Sequence, residues 1–176
     1  MQIKNIFKIR SISAKLILIM GLLVFVSFIL INALILPKIE NNIYIDKKEM
    51  TKHLVQSNIN IIEYYYQQFE KGNMSEKEAK SAALQNIKNS FYGPGDTDYF
   101  WINNYEPKMI MHPYKPELDG EDISDVKDQN GNYLFREMVS VVEEEGSGYV
   151  TYYWQYYDEK DRVEPKLSYV QGFRSE

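Results

Sequence analysis

The chain offers little that could start a reaction. Its 176 residues include two histidines and no cysteine. His53 and His112 lie far apart, and their spacing fits no zinc pattern. Without cysteine there are no thiolate metal ligands, no cysteine nucleophile and no disulfide, so packing alone must hold the core. No Gly-x-Ser-x-Gly elbow and no phosphate-cradling glycine loop occurs. Asp128, Asn130, Gly131 and Glu137 imitate positions three, five, six and twelve of a calcium loop. The first ligand position would be Val126, which cannot coordinate, so a turn capping the next helix is the expected role. Neither a metal nor a cofactor is expected. The carboxylates fall in loops and on helix faces, where solvated charge is the default. What the chain does have is tyrosine, 15 against 8 phenylalanines. Tyrosine couples an apolar body to a hydroxyl that needs a partner, which suits a polar pocket, a half-wet sheet or simply a tyrosine-rich surface. Nothing activates a nucleophile or tunes an acid–base pair, so an enzyme is the weakest reading.

The elements that must position these groups begin with one apolar run, Leu16 to Leu36, which carries no charge. It is long enough to cross about 30 Å of hydrocarbon as a helix. Lys4, Lys8, Arg10 and Lys15 precede it, with no acid among them. Basic flanks stay inside, which predicts a cytoplasmic N-terminus (1–15), a span over 16–36 and an extracytoplasmic domain over 37–176. A cleaved signal peptide would have a shorter apolar region and a small-residue cleavage site, and Leu-Pro-Lys at 36–38 is not one. The expected location is the cell inner (plasma) membrane, with the domain periplasmic or extracellular. Formal net charge is −5, and the four basic flank residues lie inside, so the outer part is more acidic still. That argues against nucleic acid and against an anionic membrane surface as partner.

Beyond Pro37 the apolar positions Val55, Ile59, Ile62, Tyr66 and Phe69 repeat at helical spacing, predicting a long helix over Glu40–Glu70 that Gly72-Asn73 stops. Rising from a span, such a helix is a stiff strut. Ser75 with Glu78 is a capping box for a second helix reaching about Asn89. Tyr92-Gly93-Pro94-Gly95-Asp96 is turn chemistry. Strands are predicted over Tyr99–Asn103 and Met109–His112, then an irregular stretch from Pro113 to Asp128. A helix follows over Tyr133–Glu145 with Leu134, Met138, Val141 and Val142 on its buried face. Gly146-Ser147-Gly148 ends it. Tyr149–Tyr157 and Leu167–Phe173 are predicted strands around a charged loop, Asp158–Pro165. Helices grouped with antiparallel strands make the class α+β.

Three groups of motifs resemble a known family. The first is Asp98-Tyr99-Phe100-Trp101-Ile102-Asn103, with Met111-His112-Pro113 and Pro116-Glu117-Leu118-Asp119-Gly120-Glu121-Asp122. The second is Asp128 with Gly131 and the run Tyr133 to Met138. The third is Gly148-Tyr149-Val150, Tyr152-Tyr153-Trp154 and Pro165 to Val170. Together they resemble the single Cache domain, type 2, found in bacterial chemoreceptors and sensor kinases. The resemblance covers about 98–173 by motif and 37–97 by helix layout. It implies a PAS-like antiparallel sheet behind a long N-terminal helix, held outside the membrane between two spans. It implies a sensor region of a methyl-accepting chemotaxis receptor, a homodimer, binding small ligands, often short carboxylates, and signalling inward by helix displacement. A histidine kinase or other output, or an orphan membrane-anchored binding or scaffold protein, are the alternatives. The family's closing Trp-Gly-Trp-x-x-Gly-Thr-Gly strand does not follow Phe173, so the domain is expected to be C-terminally incomplete.

The same resemblance marks candidate ligand contacts. A short carboxylate needs cations or donors in a mostly apolar, concave site. The candidates are Trp101, His112, Tyr114, Tyr153, Trp154, Lys166 and Tyr169, with Lys115 and Tyr152 as further donors. Lys166 either points into a pocket or lies on an edge strand facing water. His112 either caps the end of a strand or donates to ligand with a pH-dependent charge. Trp101 and Tyr153 can pack, bind or do both. Arg136 is expected to hold an ion pair with a carboxylate of the loop before it. Tyr65 or Tyr66 could reach the pocket from the long helix.

Overall fold

The computed structural model describes residues 11–156 and 159–174. Lys4, Lys8 and Arg10 of the basic flank, Tyr157 at the end of a predicted strand and Asp158 at the start of the predicted loop lie outside them. The described residues form two units, divided between Lys47 and Lys48.

In the first unit, α1 (Ile12–Leu30) is N-capped by Ser11, whose hydroxyl accepts the Ala14 amide at 3.1 Å. From Leu16 to Leu30 its side chains are apolar on every face apart from Ser27, and none is buried. The continuous helical run Ile12–Glu70, of which α1 is the first part, contains a stretch long and apolar enough to cross a membrane. A single π turn, Ile31–Ile35, follows at Asn32, whose side-chain amide donates to the Phe28 carbonyl at 2.8 Å. Helix then resumes as α2 (Leu36–Glu70).

In the second unit, α2 ends as the glycine signal requires. Gly72 adopts φ 71°, and the Asn73 amide returns to the Gln68 carbonyl. The capping box closes α3 (Glu76–Lys88), with Ser75 and Glu78 exchanging bonds. Strands β1 (Ile102–Asn103) and β2 (Met109–Met111) form a short hairpin whose register slips at once. Tyr99 and Phe100, expected in β1, stay outside the ladder. A 3-10 turn, Pro116–Leu118, interrupts the irregular stretch before α4 (Leu134–Glu145). Gly146 ends α4 in the left-handed region, at φ 77°.

Strands β3 (Ser147–Tyr156) and β4 (Glu159–Gln171) form one long antiparallel hairpin. The predicted loop Asp158–Pro165 is therefore wrong from Glu159 on. Its charges, among them the ion pairs of Arg162 with Glu159 and Glu164, lie on exposed strand and carry no apolar alternation to read. Pro165, opposite Tyr153, is tolerated because β4 pairs with β3 alone among the described strands.

The core is Met109, Ile123, Leu134, Phe135, Met138, Val150 and Tyr152, with Trp101, Leu118, Val126, Val141, Trp154 and Val170 packed against it. The α4 face differs from expectation. Phe135 and Val139 are buried beside Leu134 and Met138, while Val141 and Val142 are half-buried. A helix covered on two sides buries more than one stripe. Asp128 does not cap α4. Its carboxylate accepts the backbone amides of Asn130 and Asn132 at 2.9 and 3.0 Å, closing the turn before the helix. Arg136 pairs with Asp125 of that loop, as expected.

Candidate functional site

Strand pairing decides which candidate residues can meet. Residues opposite one another in an antiparallel pair share a face, and faces alternate along each strand. Tyr152 pairs with Lys166, Val150 with Ser168 and Trp154 with Glu164, so these six share one face. Tyr149 pairs with Tyr169 and Tyr153 with Pro165 on the other.

The first face meets the end of β2 in an aromatic cluster. His112 is 2 % exposed. Its backbone amide donates to Asp119 at 2.8 Å, and its Nδ1 accepts the amides of Tyr114 and Lys115 at 3.2 and 3.0 Å. An Nδ1 that accepts leaves the proton of the neutral ring on Nε2, which is therefore a donor. The Tyr99 ring lies 5.0 Å from His112 and 4.9 Å from Tyr114, centroid to centroid. Trp154 stands 6.5 Å from His112 and edge-on to Phe135. Two cations reach in. Lys166 Nζ is 5.2 Å from the Tyr99 ring centroid, and Lys115 Nζ is 5.0 Å from that of Trp154. The Tyr152 hydroxyl is 3.0 Å from Ser168 Oγ.

Burial sets the protonation states. It pushes His112 down to about 4, with Lys115 and Lys166 adding to the effect and Glu117 opposing it. It raises Tyr152 and Tyr92 to about 12 and Tyr99 further. Burial also lowers Lys166, against the opposing pull of the Asp98 and Glu164 carboxylates. Near neutral pH the cluster thus presents a neutral His112 and protonated Tyr92, Tyr99 and Tyr152 phenols, with the Lys115 and Lys166 side chains over its rings. It sets a histidine Nε2 donor and two lysine side chains among aromatic rings, the kind of groups that recognise a small anion.

His112, Tyr114, Trp154 and Lys166 are brought together. Trp101, Tyr153 and Tyr169 are not. Trp101 donates its indole proton to Asn103 Oδ1 at 3.1 Å, and Tyr169 its hydroxyl proton to Ser147 at 2.8 Å. Both line a separate cleft of ≈ 960 Å³. Its walls are the α2 face from Val55 to Phe69, α3, and the segments 100–105 and 169–174. Tyr65 and Tyr66 also line that cleft rather than the cluster. The backbone amide of Tyr153 points to Asp128 at 3.4 Å. Tyr99 is the central residue that the sequence did not single out. Its own segment lies outside the ladder, so no alternation marks its direction.

Known proteins agree with this architecture. The Single Cache domain 2 family model matches residues 44–176. The chain belongs to that family. This Cache domain is 36% identical over 170 residues to the methyl-accepting chemotaxis protein McpP of Pseudomonas putida. The match covers 97% of the chain and 30% of McpP, so the chain spans about a third of that relative's length. A solved Cache chemosensory domain, described for its carboxylic acid recognition, is 40% identical with a TM-score of 0.71, over 76% of this chain and 89% of that one. The periplasmic sensor domain of a chemotaxis protein is 34% identical with a TM-score of 0.69, over 74% and 89%. A methyl-accepting chemotaxis protein from Vibrio parahaemolyticus, 20% identical, has a TM-score of 0.62 over 74% and 82% and shares the fold. Two of the solved relatives are thus described as a periplasmic sensor domain and a Cache chemosensory domain, and the chain shares their fold and family.

Proposed function

We propose that this Cache domain senses a small monocarboxylate such as acetate, propionate or pyruvate outside the cytoplasm, and passes the signal inward through a membrane helix. The observation that carries the reading is the meeting of Lys166 and His112. They come from segments far apart in sequence, yet both lie against Tyr99, at 5.2 and 5.0 Å from its ring centroid. Lys166 supplies the charge a carboxylate needs, and His112 Nε2, Tyr114 and Tyr152 supply neutral donors. Trp154 and Tyr99 wall the apolar tail. A neighbour at 40% identity recognises carboxylic acids, which supports the same class here.

In this reading residues 1–15 are cytoplasmic, 16–36 span the membrane and the domain from 37 on lies outside, in a homodimeric chemoreceptor. Calorimetry against a panel of small acids and amino acids tests the ligand class. Amino acids binding while every simple carboxylate fails would reject it. A reporter fused after Glu176 should be active only outside the cytoplasm, and cytoplasmic activity would overturn the topology.

A further inference from the structure

The β3–β4 hairpin carries two nearby rungs with opposite outlooks. Tyr152 pairs with Lys166, and three residues along, Tyr149 pairs with Tyr169. A separation of three puts the rungs on opposite faces, about 10 Å apart along the strand. The first rung belongs to the aromatic cluster. The second meets α2. There the Tyr149 hydroxyl donates to the main-chain carbonyl of Lys48 at 2.8 Å. The ammonium of the same lysine lies 4.2 Å from the Tyr149 ring centroid. Tyr169 braces this tyrosine edge-on at 4.9 Å and is itself tied to Ser147.

One helical residue therefore grips one strand residue twice, through its carbonyl and through its charge. Lys48 lies inside α2, where a carbonyl already serves the helical ladder and has a second lone pair to give. An outside donor on such a carbonyl is a recognised cause of helix bending. The hairpin touches α2 elsewhere through Phe173, whose ring meets Tyr66 at 5.9 Å. That contact is apolar and can slide, whereas the Tyr149 bond is directional.

We propose that Tyr149 is a latch coupling the Lys166 face of the sheet to α2 at Lys48. The proposal rests on the binding reading above and adds how occupancy leaves the site. A carboxylate that draws Lys166 inward shifts β4, and the hydrogen-bonded ladder moves β3 with it. Tyr149, on the far face and fastened to the helix, then displaces α2.

The chain contains no cysteine, so paired spin labels can be introduced cleanly. Met50→Cys on α2 and Val163→Cys on β4 are both on exposed positions. The full chain in nanodiscs, saturated with acetate, propionate or pyruvate, should change its interlabel distance by about 1–2 Å. In Tyr149→Phe the affinity should stay within about twofold, since the ring remains, and the distance change should vanish. The same change in Tyr149→Phe, or none in a wild type that binds, would overturn the latch and leave the ligand reading intact. Loss of binding in Tyr149→Phe would also overturn it, because the residue would then belong to the pocket. If none of the three acids binds wild type, the ligand reading fails first, and the latch with it.

Discussion

Lys166→Met is the sharpest perturbation of the proposed site, because methionine keeps the apolar stem and removes only the charge. Lys166 is half-buried, opposite Tyr152 in the ladder and 5.2 Å from the Tyr99 ring. A charge-assisted hydrogen bond from such a group to a carboxylate is worth roughly 1.5–3 kcal/mol. Each 1.4 kcal/mol is about tenfold, so affinity for propionate should fall about ten- to a hundredfold or more. Folding stability should change little or rise slightly, since replacing a partly buried cation by an apolar group removes a desolvation cost. The assay is calorimetry for affinity with thermal unfolding on the same sample. A lysine that merely guards a sheet edge predicts no change in affinity, since exposed charges contribute little. Equal affinities of wild type and Lys166→Met would remove Lys166 from the site and with it the central reason for a carboxylate ligand.

His112 titrates lower in the folded domain, near 4, than in the unfolded chain, so between pH 6.5 and 4 the unfolded state binds more protons. Stability contributed by His112 is full above pH 6.5 and falls by about 3 kcal/mol as pH drops through 4; His112→Gln should flatten that limb of the unfolding curve, and an unchanged limb would refute the assignment. Phe135→Ala empties a core position that also backs Trp154, and should cost about 3–5 kcal/mol in chemical denaturation while weakening propionate binding. Loss of stability without loss of binding would separate Trp154 from the site. Ser75→Ala should cost about 1 kcal/mol, the ordinary value of an N-cap, and no cost would mean that the α3 capping box is not formed in solution.

How far the sequence could be read depended on what kind of signal each part carries. The long helix, the α3 capping box and the Gly146 stop rest on local rules, and the structure follows them closely. The α+β class followed from the change of period from 3.6 to 2. The β4 boundary is not legible because Glu159, Asp161 and Arg162 sit on exposed strand with no apolar alternation, and only the pairing of Glu159, Val163 and Glu164 with β3 marks the stretch as extended. The site was legible only in part for a related reason. The motif resemblance supplied a set of donors, but a motif cannot say which face of a strand each one joins. Tyr152 and Tyr153 are chemically identical neighbours, and only the register with β4 sends the first to Lys166 and the second to Pro165. Tyr99 was invisible because its direction is set by packing against His112 and Tyr114, not by any repeat.

That sorting of tyrosines bears directly on function. One face of the β3–β4 hairpin carries Val150, Tyr152 and Trp154 into the core beside α4, the other carries Tyr149 to Lys48 of α2, and alternation along the strand keeps the two sets apart. On the first of these faces, burial holds Tyr99, Tyr152 and His112 neutral near neutral pH, and the Lys166 and Lys115 side chains lie over the Tyr99 and Trp154 rings. On the other face, Tyr149 spends its hydroxyl on a helical carbonyl, where it cannot compete for ligand. The Tyr152 and Tyr149 rings fill space as phenylalanine would, and their hydroxyls then fix a direction, toward Ser168 on one side and toward Lys48 on the other.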